Sequence, residues 1–464
     1  MPGGLASGPR AVTLTSPFGL YTVPPLSLDC SLRNKFPMAR ALTQPLVVIN
    51  CGQLLTLRGP RRPRAHAEMG ELGLIRNGAL LIRNGILEIV GDIRAVTRST
   101  NIRRASCLDA QGRVVHPGFV DSHTHALFAA ARVDDYAARL RGATYAELAR
   151  AGGGIQASAR HIRRATEKRL AAHLEKVSRL FLEYGTTTAE VKSGYGLDLA
   201  QELKMLRAIR ASRRGHRCDF VPTLLIHDVP ASLRGRRARY IDEVITRLIP
   251  EVAREGLAEF FDVFCDRGYF SVGEAESMML AAARAGLKLK AHAEQLVRSG
   301  AARMAAALGA VSVDHLDRLG KVDIGPLRRT STIGTLLPGT VLHLGSGPYP
   351  PARALIDGGV PVALATNFNP GSSPTANMQM ILSLACAQMR MSPAEAITAA
   401  TINGAYAAGC GERAGSLEVG KQADIVIMNV SDYREVPYFF GMNHCATVLK
   451  RGRVVFSKPV FRAA

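Results

Sequence analysis

Pro117-Gly-Phe-Val-Asp-Ser-His123-Thr-His125 sets a short apolar run directly before two histidines spaced two residues apart. In an extended chain, residues i and i+2 face the same side, so both imidazoles can reach a single ion. Alone, a His-x-His pair is a weak signal. Further along, other apolar runs also end in histidine. His292 follows Leu287-Lys-Leu-Lys-Ala291, His315 follows Val311-Ser-Val-Asp314, and His227 follows Thr223-Leu-Leu-Ile226. One histidine at a strand end is usually structural, whereas four separate strand ends closing in histidine point to a shared site.

Around these histidines, from about His116 to Ala414, short apolar strands alternate with helix-length segments. The strand-like runs are Thr187–Val191, Asp219–Thr223, Phe260–Phe264, Leu287–Ala291, Ala310–Val313 and Val360–Ala365. Such alternation predicts a parallel α/β architecture, and a closed (β/α)8 barrel of the TIM type suits the length. In that fold, chemistry sits at the carboxyl ends of the strands, where these histidines fall. Outside the barrel, Leu46–Asn50, Gly78–Ile82 and Ile86–Val90 read as strands, with Asn84-Gly85 as a hairpin turn. Ala423–Met428, Thr447–Lys450 and Arg453–Phe456 read the same way near the other end. A small composite β-sandwich built from both terminal segments is therefore expected. The expected division is an extension over 1–43, β-sandwich over 44–116, barrel over 117–415 and β-sandwich again over 416–464.

The 464 residues carry a formal charge of +21. The arginines lie in short scattered clusters such as Arg61-Arg62-Pro63-Arg64 with no nucleic-acid-binding motif beside them. A solvated basic surface that suits an anionic small substrate is the reading, with no nucleic-acid partner. Charges or glycines interrupt every apolar run, so no membrane span is expected. The eight cysteines form no Cys-x-x-Cys pair, which argues against a disulfide framework and fits a reducing cytoplasm. Met1 to Arg40 carry one acid, Asp29, among many Pro, Gly, Ser and Thr, and read as a disordered or non-native extension.

Several longer motifs narrow the reading. Arg139-Leu-Arg-Gly-Ala-Thr-Tyr145, Ala151-Gly-Gly-Gly-Ile155, Lys192-Ser-Gly-Tyr-Gly-Leu197, Phe264-Cys-Asp-Arg-Gly-Tyr-Phe-Ser271, Leu336-Leu-Pro-Gly339 and Phe368-Asn-Pro-Gly-Ser372 occur in order. With the His-x-His segment, this set resembles the imidazolonepropionases of the amidohydrolase superfamily from about residue 44 to 460. The resemblance implies hydrolysis of 4-imidazolone-5-propanoate to N-formimino-L-glutamate, with one zinc or iron ion. Its ligands would be His123, His125, His292 and residue 367. Glu294 would bind and polarise the ring, and His315 would assist at the attacked centre. Arg132, Tyr195, His227, Asn369, Gly371 and Ser372 would bind substrate, the arginine suiting a carboxylate. Lys192 lies inside a motif of a one-ion family, which argues against a carboxylated lysine bridging two ions. A homodimer is a further family expectation.

One residue departs from the pattern. Where the family has Ala-Thr-Asp, this chain has Ala365-Thr366-Asn367. An amide can ligate through its oxygen but cannot accept a proton at ordinary pH. Losing a positioned general base costs about 10² to 10⁴ in rate. Three readings follow: an imidazolonepropionase in which Glu294 or His315 takes the proton, a related cyclic-amide hydrolase or heterocycle deaminase, and a ligand-binding pseudoenzyme.

Overall fold

A computed structural model describes residues 44–99, 105–143, 147–148, 151–213 and 218–458. The expected extension over 1–43, and Thr144 and Tyr145 of the arginine-rich motif, lie outside these residues.

Two eight-stranded sheets organise the described chain. The first joins both ends of the sequence. Its strands are β1 (Leu46–Leu55), β2 (Leu74–Arg83), β3 (Ile86–Asp92), β4 (Ser106–Asp109) and β5 (Val114–Pro117). The barrel strands β6 to β13 intervene before β14 (Ile425–Met428), β15 (Cys445–Lys450) and β16 (Arg453–Ser457) complete it. The order is β16-β15-β14-β5-β1-β2-β3, with β4 also pairing with β1. A bulge in the β1–β2 pairing between Val48 and Cys51 separates the half of β1 beside β4 from the half beside β5. Alternation decides the packing. Val48, Leu54, Leu80 and Ile82 enter one core with Ile425 and Leu449, while Val47, Ile49, Ala79 and Leu81 enter another with Val96. Both faces of these strands are covered, so a one-residue register slip would exchange the two sets.

The second sheet is the barrel: β6 (Phe119–Asp121), β7 (Thr186–Lys192), β8 (Asp219–Ile226), β9 (Phe260–Cys265), β10 (Lys288–Ala293), β11 (Ser312–His315), β12 (Ile333–Leu336) and β13 (Val362–Leu364). Every neighbouring pair is parallel and in sequence order. The ends of the first and last strands are stitched just past their termini. Asn367 N donates to His123 O at 3.1 Å, and His125 N to Phe368 O at 2.9 Å. The buried Asp121 carboxylate also accepts from Thr366 N at 3.0 Å and Thr366 Oγ1 at 2.5 Å. Barrel closure therefore brings residue 367 beside the His-x-His pair, although 240 or so residues of chain separate them.

The surrounding helices show why their sequences fold as they do. The helix Glu167–Glu183 begins at Thr166, whose hydroxyl accepts from Arg169 N, and buries Leu170, Leu174, Val177 and Phe181 on one face. That stripe follows the helical period, and truncating Phe181 to Ala would cost about 3–5 kcal/mol. No described helix is long and apolar enough to cross a membrane.

The terminal sheet is fastened to the barrel by a buried ion cluster. Lys450 Nζ lies 2.6 Å from Asp424 Oδ2 and 2.9 Å from Asp219 Oδ2 at the start of β8.

Candidate metal centre

His123 and His125 follow β6 directly, and His292 lies near the carboxyl end of β10. Their ligand atoms lie within 4.8 Å of one another, and all three side chains are buried. His125 Nε2 and His292 Nε2 face each other at 3.3 Å. His123 Nε2 and His125 Nδ1 are buried without a hydrogen-bond partner. Burying unpaired polar atoms is costly, so a cluster of them marks a place where a ligand belongs.

A carboxylate braces two of the three rings. His123 Nδ1 is 2.6 Å from Asp314 Oδ2, and His292 Nδ1 is 3.1 Å from Asp262 Oδ1. Fixing one ring nitrogen leaves the other free to ligate, which is how metal-binding histidines are generally oriented. Burial, reinforced by Lys192 for His123 and by His227 for His125, pushes both imidazoles well below the usual histidine range. They are neutral at pH 7, the form that binds metal. Burial alone would raise the Asp262 carboxyl, but His292 and Lys192 outweigh it and hold it low.

Asn367 follows β13 and lines the same cavity as His125 and His292. Its φ of 50° turns the chain away from β13. Its Nδ2 donates to Thr340 Oγ1 at 2.8 Å, while its Oδ1 is buried without a partner. Three imidazoles and an amide oxygen without a hydrogen bond are a donor set that fits a divalent metal ion.

Beside the histidines opens a cavity of about 530 Å³. It is lined by His125, His292, Asn367, Arg132, Tyr195, His227, His315, Asn369, Gly371 and Ser372, so nearly all the residues singled out in the sequence converge there. His227 stacks on His125 with ring centroids 5.3 Å apart, and Tyr195 lies 5.7 Å from His125. Burial, with His292 and Arg132, pushes His227 down to about 3. Tyr195 is presented by a tight loop. Gly194 has φ of 92°, and the Glu202 carboxylate accepts from Gly194 N and Leu197 N, both at 2.7 Å.

Arg132 is nine-tenths buried, and its Nε and Nη1 have no hydrogen-bond partner. Its position depends on Gly371, because a Cβ there would stand 1.2 Å from Arg132 Nη2. Asn369 holds the same loop, accepting from Gly371 N at 2.8 Å and Ser372 N at 2.7 Å. Ser372 and Gly371 therefore shape the wall behind the guanidinium.

His315, at the end of β11 with φ of 79°, has its ring centroid 5.3 Å from that of His292. Its Nδ1 is unpartnered and 4.0 Å from Asp317 Oδ2, beyond hydrogen-bond reach. Burial keeps it well below the usual range and hence neutral.

Glu294 is the expected residue that the structure does not bring into the cavity. Its carboxylate is buried and accepts from Ser299 N at 2.7 Å, Gly300 N at 2.9 Å and Ala302 N at 3.2 Å. Its φ of 55° breaks the strand alternation, so the next residue, Gln295, lines the cavity instead. Gln295 was not singled out from the sequence, nor were Asp262, Asp314 and Thr340. The signal for the two aspartates was an acid at an inward position of an otherwise apolar strand. Among the described residues, Lys192 Nζ pairs with carboxylates, at 2.7 Å from Asp262 and 2.9 Å from Glu190. An ammonium fits there, and a carboxylated lysine would place like charges together.

Comparison with known proteins bears on this site. The model of the amidohydrolase family matches residues 114–455. An imidazolonepropionase of Solibacter usitatus is 45% identical over 412 residues, covering 89% of this chain and 98% of that protein. One from Geobacillus kaustophilus is 45% identical over 416 residues, with the same coverage. Among solved structures, a 5-methylcytosine deaminase from Klebsiella pneumoniae matches with a TM-score of 0.68 at 16% identity, over 90% of this chain and 100% of that one. A zinc-bound adenosine deaminase from Xanthomonas campestris matches with a TM-score of 0.66 at 18% identity, over 88% and 92%. At such low identity, the two deaminases speak to the fold alone.

Proposed function

We propose a function from the premise these likenesses supply: the chain belongs to the imidazolonepropionases, within the metal-dependent amidohydrolase family. It is a hydrolase of a cyclic-amide C–N bond, and its reaction is the hydrolysis of 4-imidazolone-5-propanoate to N-formimino-L-glutamate in histidine degradation. Water supplies a hydroxyl to the ring carbonyl carbon, the bond from that carbon to the ring nitrogen breaks, and the nitrogen takes the proton.

The observation that carries this reading is the set of buried, unpartnered polar atoms around one cavity. His123, His125, His292 and Asn367 Oδ1 would hold one zinc or iron ion. Bound there, such an ion supplies Lewis acidity and lowers the pKa of water to about 7. The Arg132 guanidinium, with Nε and Nη1 free of hydrogen bonds though 3.9 Å from Asp135, is suited to the propionate carboxylate, with Gly371 and Ser372 keeping room for it. Tyr195 and His227, tilted 40° to each other with centroids 5.6 Å apart, give the ring a partly apolar wall. Gln295, rather than Glu294, is the group after β10 that can hydrogen-bond the ring.

Asn367 cannot carry a proton, and the Glu294 carboxylate is committed to three backbone N–H groups. Neutral His315, with Nδ1 unpartnered and its ring lining the cavity, is the base that moves the proton from water to the leaving nitrogen. The test is turnover of imidazolonepropionate by the zinc- and iron-loaded chain, with and without a chelator. Consumption that stops on chelation and returns with metal is expected. A folded, metal-loaded protein that never consumes the substrate would defeat the reading.

A further inference from the structure

Beneath the three histidines lies a charged layer that the proposed reaction does not use. Glu190 and Lys192 on β7, Asp262 on β9, Lys290 on β10 and Asp314 on β11 are all fully buried. Lys290 Nζ lies 3.0 Å from Glu190 Oε2 and donates to Ser122 O at 3.1 Å. Lys192 Nζ lies 2.7 Å from Asp262 Oδ2, 2.9 Å from Glu190 Oε1 and 3.7 Å from Asp314 Oδ2. Three carboxylates thus converge on one ammonium. Two of them are the groups that brace His292 and His123.

A second observation concerns the same place. Ligand atoms of His123, Glu190 and Asp314 lie within 4.8 Å of one another, a second buried set with the spacing that holds an ion. A side chain reaches two of its three members. The lysine ammonium is a compact point charge with three donors and no acceptor, so it can satisfy several carboxylates as a small ion would.

We propose that Lys192 is a positioning residue that fixes the number of ions. Its ammonium takes the second cation position of the centre, between Glu190, Asp262 and Asp314, and leaves the three histidines to bind one ion. Three buried carboxylates face two ammonium groups in this layer. Without Lys192 they would face one, and an uncompensated buried charge is strongly unfavourable until another cation arrives. Held in place, the same ammonium keeps Asp262 and Asp314 turned toward the nitrogens they orient. The inference rests on the metal reading given above.

The experiment counts zinc ions per folded chain, by elemental analysis and calorimetric titration, in the full-length protein and its Lys192→Met variant. Methionine keeps much of the side-chain length and removes the charge. One ion in the parent and two in the variant are expected. In the double variant Lys192→Met/Glu190→Gln, where one carboxylate is removed with the ammonium, the count should return to one. A folded Lys192→Met protein with one ion at unchanged affinity overturns the proposal while leaving the metal reading intact. A parent that binds no ion overturns both. If Lys192→Met unfolds without metal, excess zinc should restore its thermal transition, and so should the Glu190→Gln change. A variant rescued by neither shows that the lysine serves only to hold the strands, and the proposal fails.

Discussion

Two layers of the same barrel treat polar groups in opposite ways. In the upper layer, His123 Nε2, His125 Nδ1, His315 Nδ1, Asn367 Oδ1 and two nitrogens of Arg132 are buried without hydrogen-bond partners. In the lower layer, Lys192, Lys290, Asp262 and Asp314 are fully buried, and each has at least one oppositely charged partner or hydrogen bond. Burial is equally costly in both, so the difference is one of purpose. In the lower layer the charges are paired within the protein and fix geometry. The upper layer is finished only by what binds to it.

That contrast is sharpened first by substitutions expected to separate rate from stability. His315→Gln should lower kcat about 10²- to 10⁴-fold while leaving the melting temperature close to that of the parent. Steady-state kinetics beside a thermal melt checks this, and a large fall in melting temperature would move His315 into the structural layer. Glu190→Leu should do the reverse. It removes the partner of Lys192, Lys290 and Thr223 Oγ1, and should cost about 3–5 kcal/mol of stability in urea unfolding. An unaffected unfolding curve would mean that the lower layer is not a closed network.

Smaller effects test the upper layer's substrate side. Arg132→Leu should raise KM about 10- to 150-fold, the worth of a hydrogen bond to a charged group, with kcat changing less. Gly371→Ala should show a weaker version of the same change, because the added methyl displaces the guanidinium. The gentlest probe is pH. Burial pushes His116 down to about 4 and His227 down to about 3, against about 6.5 when unfolded. The unfolded chain therefore binds more protons between these values. The stability held by neutral burial is complete above about pH 6.5 and is lost as pH falls toward 4. Each such histidine contributes a slope of up to about 1.4 kcal/mol per pH unit. Melts of the metal-free protein from pH 7.5 to 5 should show this decline, and a flat profile would contradict it.

Much of this was legible in the sequence because it depends on local pattern. Apolar runs ending in histidine gave His123, His125, His227, His292 and His315, and the alternation of strands and helices gave the barrel. The strand β12 escaped notice because Ile333–Leu336 is four residues long and contains Gly334 and Thr335. Asp262 and Asp314 escaped because a lone acid in an apolar strand reads as an interruption until its partner strand is known. The ring-binding role of Glu294 came from the resemblance alone, and no local pattern shows that its φ of 55° turns the carboxylate onto three backbone N–H groups. The dependence of Arg132 on Gly371 is a contact between residues 239 positions apart, which no local pattern carries.

The most direct test of the account is turnover of imidazolonepropionate by the zinc- or iron-loaded chain beside its Asn367→Asp variant. If Asn367 only ligates and His315 moves the proton, both proteins consume the substrate, with kcat values within about tenfold, well inside the cost of a lost general base. If the chain with Asn367 is inert while the Asp variant turns over, residue 367 is the proton carrier and the role given to His315 is wrong.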